Sequence, residues 1–438
     1  MISLKIKAEE HSVKVAFYTL GCKVNQYDTQ IMRDKMESIG YETVPFGSPA
    51  DVYIINTCTV TQISDKKSRQ MIARAKREQP ESILVVCGCF SQVAPNAAAA
   101  LEGVDIVLGT SNRKDILHYI NKFKETGEKI IDVDNCGSLE QEEIHSFGEK
   151  NRAVLKIEDG CENFCSYCLI PYARGRIRSK PLEIIKKEIL SLVKCGYREI
   201  VLTGIHLASY GKEWGERCLQ KAILCAAEIQ GIERIRLGSL EPRAITPEFL
   251  SAIASVQSLC PHFHLSLQSG CDKTLKAMNR HYTTDEYREA VNLLRAAYPD
   301  CAITTDIIVG FPGETEEDFQ KSLSFAEEIG FAKIHIFPYS PRQGTRAAAM
   351  PDQLTKEIKS KRVKKMEEIE KASRHAFWKK MIGTTQWVLP EAKKENKLHG
   401  FTRNYCPVLW SGEKNADLIP IKITGYCDEG LIGIEIDG

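Results

Sequence analysis

Apolar and polar positions alternate in blocks along the first third of the chain. Short apolar runs, VKVAFYTLG (13–21), DVYIINT (51–57), SILVVCG (82–88) and VDIVLGT (104–110), are separated by stretches with helical spacing of apolar residues. A run of that length bounded by turn residues reads as a buried strand, and the stretch over 28–39, stopping at Gly40, as a helix. Strand and helix in alternation predict an α/β fold with a doubly wound parallel sheet over 12–133. Residues 134–152 are polar and irregular, which predicts a linker. A second alternating block follows, with strands expected at 153–157, 199–203, 234–238, 262–267, 302–309 and 333–337. Its clearest helix, 181–195, opens at Pro181, carries Ile184, Ile185, Ile189, Leu192 and Val193 on one stripe and stops before Gly196. Six β–α units predict a partial (β/α)6 barrel within 147–380, and in such barrels the loops after the strands build the site. A basic helix is expected over 353–380. Beyond it, short β-like runs with Gly and Asn turns predict a small antiparallel β-barrel over 381–438.

Composition adds one strong signal. The 438 residues suit two or three domains, and 43% hydrophobic with 27% charged residues is ordinary for a globular protein. No apolar run reaches the length of a membrane span, and residues 1–10 lack the apolar centre of a secretory signal, so a cytoplasmic location is expected. The formal net charge of +1 neither suggests nor excludes nucleic acid, because a local basic patch suffices to hold phosphates. The 16 cysteines are the unusual feature. In a reducing compartment clustered cysteines bind metal or do chemistry rather than form disulfides. Cys195, Cys225, Cys260 and Cys301 lie in or beside apolar elements and are expected to pack as small hydrophobes.

Cys161-x-x-x-Cys165-x-x-Cys168 stands immediately after the first barrel strand. Three thiolates can hold an iron–sulfur cubane and leave one iron open to a ligand, as catalytic metal sites do. A structural zinc site is the alternative, and His206 is its candidate fourth ligand. Polar and glycine residues recur at the later strand ends: Thr203, Gly204, Ser239, Glu241, Gln268, Asp306, Gly310, Tyr339 and Arg342. In the first block Cys22, Cys58 and Cys89 each follow a strand, where open parallel sheets gather ligands. They form either a second three-thiolate site or three unrelated turn cysteines. Cys87, inside its strand, should point into the sheet. Past the cluster motif lie Tyr172, Arg174, Arg176, Arg178 and Lys180, a pattern suited to gripping a single-stranded nucleic acid or simply a solvated turn.

With both cysteine sets present, the chain resembles the methylthiotransferase family of radical S-adenosylmethionine (SAM) enzymes along nearly its whole length. The segments GCKVNQYDT (21–29), NTCTVT (56–61), DKKSRQ (65–70), IPYARGRIRSKP (170–181), VLTGIH (201–206), DIIVGFPGET (306–315) and FPYSPRQGT (337–345) are similar to the MtaB type of that family. Cys271 departs from it, since the family tends to have Ser there. The resemblance implies an N-terminal methylthiotransferase domain (12–133), a radical SAM domain (147–380) and a C-terminal TRAM-like β-barrel (381–438). It implies two 4Fe-4S clusters, one on Cys161, Cys165 and Cys168 for cleaving SAM, the other on Cys22, Cys58 and Cys89 carrying the sulfur. It further implies that Thr203, Gly204, Ser239, Glu241, Gln268, Asp306 and Gly310 bind SAM, and that Arg174, Arg176, Arg178, Tyr339 and Arg342 bind substrate. The expected reaction is 2-methylthiolation of threonylcarbamoyladenosine at position 37 in a tRNA anticodon loop, with an external electron donor and a sulfur donor as further partners. Relatives acting on isopentenyladenosine in tRNA or on a ribosomal-protein aspartate supply the alternatives. Two rivals differ in class. A non-enzymatic RNA-binding or cluster-carrying protein would not need polar groups at five further strand ends. A radical SAM enzyme of other chemistry would use its second cluster only for electron transfer and should supply that cluster with a fourth ligand.

Overall fold

The computed structural model describes residues 12–59, 62–134, 137, 144, 152–394, 397–412 and 418–436. Residues 1–11 and nearly all of the linker expected over 134–152 lie outside the described residues. Two compact units are present: Met1–Glu142 with Tyr172–Arg174, and Glu143–Pro171 with Gly175–Gly438.

In the first unit six strands, β1 (Lys14–Thr19), β2 (Glu42–Val44), β3 (Val52–Thr57), β4 (Ile83–Gly88), β5 (Ile106–Leu108) and β6 (Ile130–Asp132), form one sheet in the order 2-1-3-4-5-6. Every pair is parallel. Side chains alternate across this sheet. Val15, Phe17, Val52, Ile54, Val85 and Ile106 pack on one face with Met32, Met36, Ile116 and Ile120. Ala16, Tyr53, Ile55, Leu84, Val86 and Val107 pack on the other with Ile72, Ala75 and Ala98. Burial of both faces explains why these strands read as continuous apolar runs. The helix expected over 28–39 runs from Lys23 to Glu37 and starts directly after Cys22. Its buried residues include Asn25, Asp28, Thr29 and Gln30, and these polar side chains break the apolar period that would have marked its first turns.

The second unit opens with β7 (Arg152–Lys156) and a short antiparallel pair, β8 (Glu158–Asp159) with β9 (Arg178–Ser179). The remaining barrel strands are β10 (Glu199–Thr203), β11 (Arg234–Leu237), β12 (His262–His264), β13 (Ala302–Val309) and β14 (Lys333–Pro338). They pair in parallel as β11-β10-β7 and β12-β13-β14, and parallel bridges Ile235–Leu259 and Leu240–Leu265 join the two halves. This is the expected six-stranded partial barrel. The basic helix runs from Lys356 to Lys379. Arg362 is buried, with Nη1 donating to the Glu314 backbone carbonyl at 3.0 Å, and buried Glu370 accepts from Lys333 Nζ at 3.0 Å and Arg374 Nε at 2.9 Å.

Five strands, β15 (Thr385–Lys394), β16 (Lys397–Phe401), β17 (Pro407–Trp410), β18 (Ile419–Cys427) and β19 (Gly430–Glu435), close the C-terminal barrel in the order 15-16-17-19-18. Four of its strand contacts are antiparallel, and β17 with β19 is parallel. The barrel docks at the amino ends of β7, β10 and β11. Buried Arg236 donates to the Thr402 and Arg403 carbonyls at 2.7 Å each, and Arg234 to the Phe401 carbonyl at 3.0 Å. Glu199 joins the guanidinium groups of Arg236 (2.7 Å), Arg234 (3.4 Å) and Arg152 (3.6 Å). Burial alone would raise its carboxyl, but these cations hold it below the usual range. Of the cysteines expected to pack as hydrophobes, Cys260 and Cys301 are buried and Cys225 half-buried, but Cys195 caps the helix Leu182–Lys194 at its exposed end.

Candidate active site

In the first unit the strand order reverses between β1 and β3, the topological switch where open α/β sheets bind ligands. The three candidate cysteines stand at the carboxyl ends of β1, β3 and β4, adjacent in the sheet. Cys22 is the N-cap of the helix Lys23–Glu37, Cys58 follows β3 directly, and Cys89 opens the helix Cys89–Val93. Gly21 lets Cys58 come close to the Cys22 loop. A methyl group on its Cα would lie 2.9 Å from Cys58 Cβ and 3.0 Å from Cys58 Sγ. Asn25 ties the loops together, its Nδ2 donating to the Leu20 carbonyl at 2.8 Å and the Thr57 carbonyl at 3.0 Å. Behind them lies a buried ion cluster. Asp28 accepts from Arg113 Nη2 at 3.0 Å and from Arg174 Nη1 at 2.9 Å, and Arg174 Nε is 3.4 Å from Cys89 Sγ. Three sulfur donors beside cations suit an anionic iron–sulfur cluster. Cys87 instead packs into the sheet's core, and burial pushes its thiol up to about 12.

In the second unit Cys161, Cys165 and Cys168 occupy the loop between β8 and the short helix Ile170–Arg174. Gly160 makes the turn possible. Its φ is +99°, and a Cβ there would fall 2.0 Å from the Arg176 carbonyl oxygen. Asn279 Nδ2 donates to the Asn163 and Phe164 carbonyls at 3.1 Å each, and Ser166 N to the Met278 carbonyl at 2.9 Å. Two N–H groups address the sulfurs: Arg280 Nη1 is 3.2 Å from Cys165 Sγ, and Ile170 N is 3.4 Å from Cys168 Sγ. Burial pushes the Cys161 and Cys168 thiols up to about 12, so metal must displace their protons. The candidate fourth zinc ligand, His206, is engaged at both ring nitrogens, Nε2 by Glu241 (3.0 Å) and Asn163 (3.2 Å), Nδ1 by Ser209. Three sulfurs with an open fourth position fit a SAM-binding cubane better than closed zinc.

The expected SAM contacts divide. Glu241 lies beside the cluster loop, accepting from Asn163 Nδ2 at 2.7 Å and Arg280 Nη2 at 2.8 Å. Thr203 ends β10, and Gly204 turns its bare face to buried Glu158, whose Oε2 a Cβ would meet at 2.4 Å. Burial raises the Glu158 carboxyl well above the ordinary range. Ser239 is exposed. Gln268 clamps β13 through its backbone, N to the Asp306 carbonyl at 2.8 Å, with Ile308 N returning to its own carbonyl at 2.9 Å. Asp306 forms a polar trio with His264 and His335 across β12, β13 and β14, and His264 Nε2 stands 3.3 Å from Asp306 Oδ2. Gly310 packs closely at the end of β13. Its N–H donates to Glu314 Oε2 at 2.7 Å, and a Cβ would lie 2.5 Å from Lys359 Cγ, so its small size seats the C-terminal helix.

The expected substrate contacts lie in different settings. Arg174 is fully buried in the first unit, its guanidinium engaged by Asp28 and Asn25. Tyr339 is buried against Phe311, Met278 and Ala347, and Arg342 is 8% exposed. Arg178 is half-buried, 3.9 Å from Asp159. Arg176 alone of the five is exposed, on a cavity of about 390 Å³ shared with Cys161, Glu162, Phe164 and Pro171. Sequence reasoning missed Arg280, Asn163 and Asn279, which no spacing announces. It also passed over Asn25 and Asp28, although both stand inside the quoted GCKVNQYDT segment.

Residues 14–109 match the family described as uncharacterized protein family UPF0004, and residues 155–326 match the radical SAM superfamily. The chain is 39% identical to the threonylcarbamoyladenosine tRNA methylthiotransferase MtaB of Bacillus subtilis (strain 168), over 94% of each chain. It is 41% identical to the protein of that name from Aquifex aeolicus (strain VF5), over 92% of this chain and 98% of the relative. A tRNA-2-methylthio-N(6)-dimethylallyladenosine synthase of Clostridium tetani (strain Massachusetts / E88) is 36% identical over 95% of each. Among solved structures, the radical SAM methyltransferase TsrM of Kitasatospora setae shares the fold, with a TM-score of 0.56 at 16% identity over 77% of each chain. Two cysteine triads on the expected folds, and full-length likeness to enzymes of one kind, lead to one conclusion: the chain belongs to the methylthiotransferase family of radical SAM enzymes.

Proposed function

We propose that this enzyme converts threonylcarbamoyladenosine at position 37 of tRNA to its 2-methylthio derivative. The observation that carries the reading is likeness at 38–41% identity, over nearly the whole chain, to four relatives named for that activity. In this reading 12–133, 147–380 and 381–438 act as methylthiotransferase, radical SAM and TRAM-like domains in the cytoplasm. Cys161, Cys165 and Cys168 hold one 4Fe-4S cluster, and Cys22, Cys58 and Cys89 a second; together with SAM these supply radical activation of an unreactive carbon–hydrogen bond and the methylthio sulfur. The chain's own groups do the positioning. Arg280 and Glu241 brace the Cys165 loop, and Glu241 would also help hold SAM. Gln268 and Asp306 orient groups on the inner strands, and exposed Arg176 meets the anticodon-loop phosphates or the threonyl carboxylate. An external electron donor and a sulfur donor complete the cycle.

The test is an in vitro competition between tRNA carrying threonylcarbamoyladenosine and tRNA carrying isopentenyladenosine, read by nucleoside mass spectrometry. Preferential methylthiolation of the first is expected. An equal or faster rate on the isopentenyl tRNA would sink the substrate assignment and leave the enzyme class standing. Modification of a ribosomal-protein aspartate and of neither tRNA would sink the nucleic-acid reading.

A further inference from the structure

A buried ion cluster lies behind Cys22, Cys58 and Cys89. Arg174 and Asp28 are fully buried, and Arg113 is 2% exposed. The Asp28 carboxylate meets Arg113 on Oδ1 at 3.0 Å and Arg174 on Oδ2 at 2.9 Å. Arg174 also turns Nε to Cys89 Sγ at 3.4 Å while its Nη2 is held by Asn25 Oδ1. Cys22 also lies within electrostatic range of Arg174, Cys89 and Asp28. Burying a cation beside neutral thiols is costly. Three thiolates on a 4Fe-4S core in its 2+ state carry one net negative charge. Adding one electron makes the cluster more negative, and a nearby cation together with an N–H···S hydrogen bond favours that state.

We infer that Arg174 is a positioning residue for the N-terminal cluster, its guanidinium donating to the Cys89 sulfur and raising the cluster's reduction potential. This rests on the proposed second cluster, so the experiment separates the two. In protein carrying Cys161→Ala, Cys165→Ala and Cys168→Ala, only the N-terminal triad can load, with roughly four irons per chain. The potential is read by dithionite titration followed by electron paramagnetic resonance. R174Q, which keeps a hydrogen-bonding side chain without the charge, should lower the reduced-to-oxidised ratio at fixed poise at least tenfold, about 59 mV for one electron. R174K should fall between it and the parent. R113Q removes charge from the same carboxylate without touching sulfur and should shift the ratio less. A ratio within threefold of the parent in R174Q, or an equal shift in R113Q, overturns the inference. If R174Q loads no iron, R174K decides: loading restored by lysine supports the charge role, and loading lost equally in both overturns it. If the parent triple variant itself holds no iron, the second-cluster reading has failed, independently of Arg174.

Discussion

Glu241→Gln isolates the charge that braces the SAM-cluster loop. The Glu241 carboxylate accepts from Asn163 Nδ2 at 2.7 Å and Arg280 Nη2 at 2.8 Å, and pairs with His206 Nε2 at 3.0 Å. Asn163 belongs to the loop, and Arg280 touches Cys165 Sγ at 3.2 Å, so this one group holds the loop from two sides. Burial would raise its carboxyl, yet the His206 hydrogen bond and the Arg280 guanidinium hold it at about 2, from an ordinary 4.5. A difference of that size corresponds to about 3 kcal/mol in favour of the carboxylate. Glutamine keeps the shape and one acceptor oxygen but leaves the Arg280 guanidinium without its counter-charge. Local opening of 160–168 should become easier by up to about 3 kcal/mol, roughly a hundredfold in exchange rate. The assay is amide hydrogen exchange on metal-free protein, read by mass spectrometry on peptides covering the loop. Because the folded carboxyl is depressed, its contribution is present above the unfolded value near 4.3 and is lost as pH falls toward about 2. Wild-type protection, corrected for intrinsic exchange, should therefore be lost as pH falls below about 4.3. A change below threefold at pH 7 in the variant would refute the bracing role.

Gly160→Ala should abolish loading of the Cys161, Cys165 and Cys168 cluster, because the new methyl group would sit 2.0 Å from the Arg176 carbonyl in a left-handed turn; iron analysis in a Cys22, Cys58, Cys89→Ala background checks it, and normal loading would show that the turn can relax. Glu199→Gln should destabilise the docked C-terminal barrel by about 3–5 kcal/mol by leaving buried arginines without their shared carboxylate. Its folded carboxyl is depressed, so the gap to wild type in calorimetric melting should be full at neutral pH and close as pH falls below about 4.3. Cys58→Ala should still cleave SAM to 5′-deoxyadenosine but form no methylthio product, whereas Cys165→Ala should lose cleavage; equal loss of cleavage in both, by chromatography of the nucleosides, would assign the N-terminal triad to electron relay.

The elements that bury two faces or repeat a regular unit were legible in the chain itself. The apolar runs ending at Thr57 and Gly88 could only be interior strands of a covered sheet, and residues just past strand ends had to gather at the sheet's carboxyl edge. That logic is local, so hydrophobic period and turn chemistry suffice, and it put Cys22, Cys58 and Cys89 just past strand ends and Cys87 inside the sheet. What escaped was set by long-range burial. The helix that begins at Lys23 was read from residue 28 onward because its buried face is polar, and Asn25 and Asp28 can be buried there because groups outside the helix, the Leu20 and Thr57 carbonyls, Arg113 and Arg174, satisfy them. The run Arg174-x-Arg176-x-Arg178 shows the same limit. Spacing gives three arginines one identity, but tertiary contacts pair the first with Asp28, leave the second in solvent and half-bury the third. Pattern along a chain reports which side chains prefer water on average; whether one particular charge meets a phosphate or a buried carboxylate depends on which distant partner the fold delivers to it.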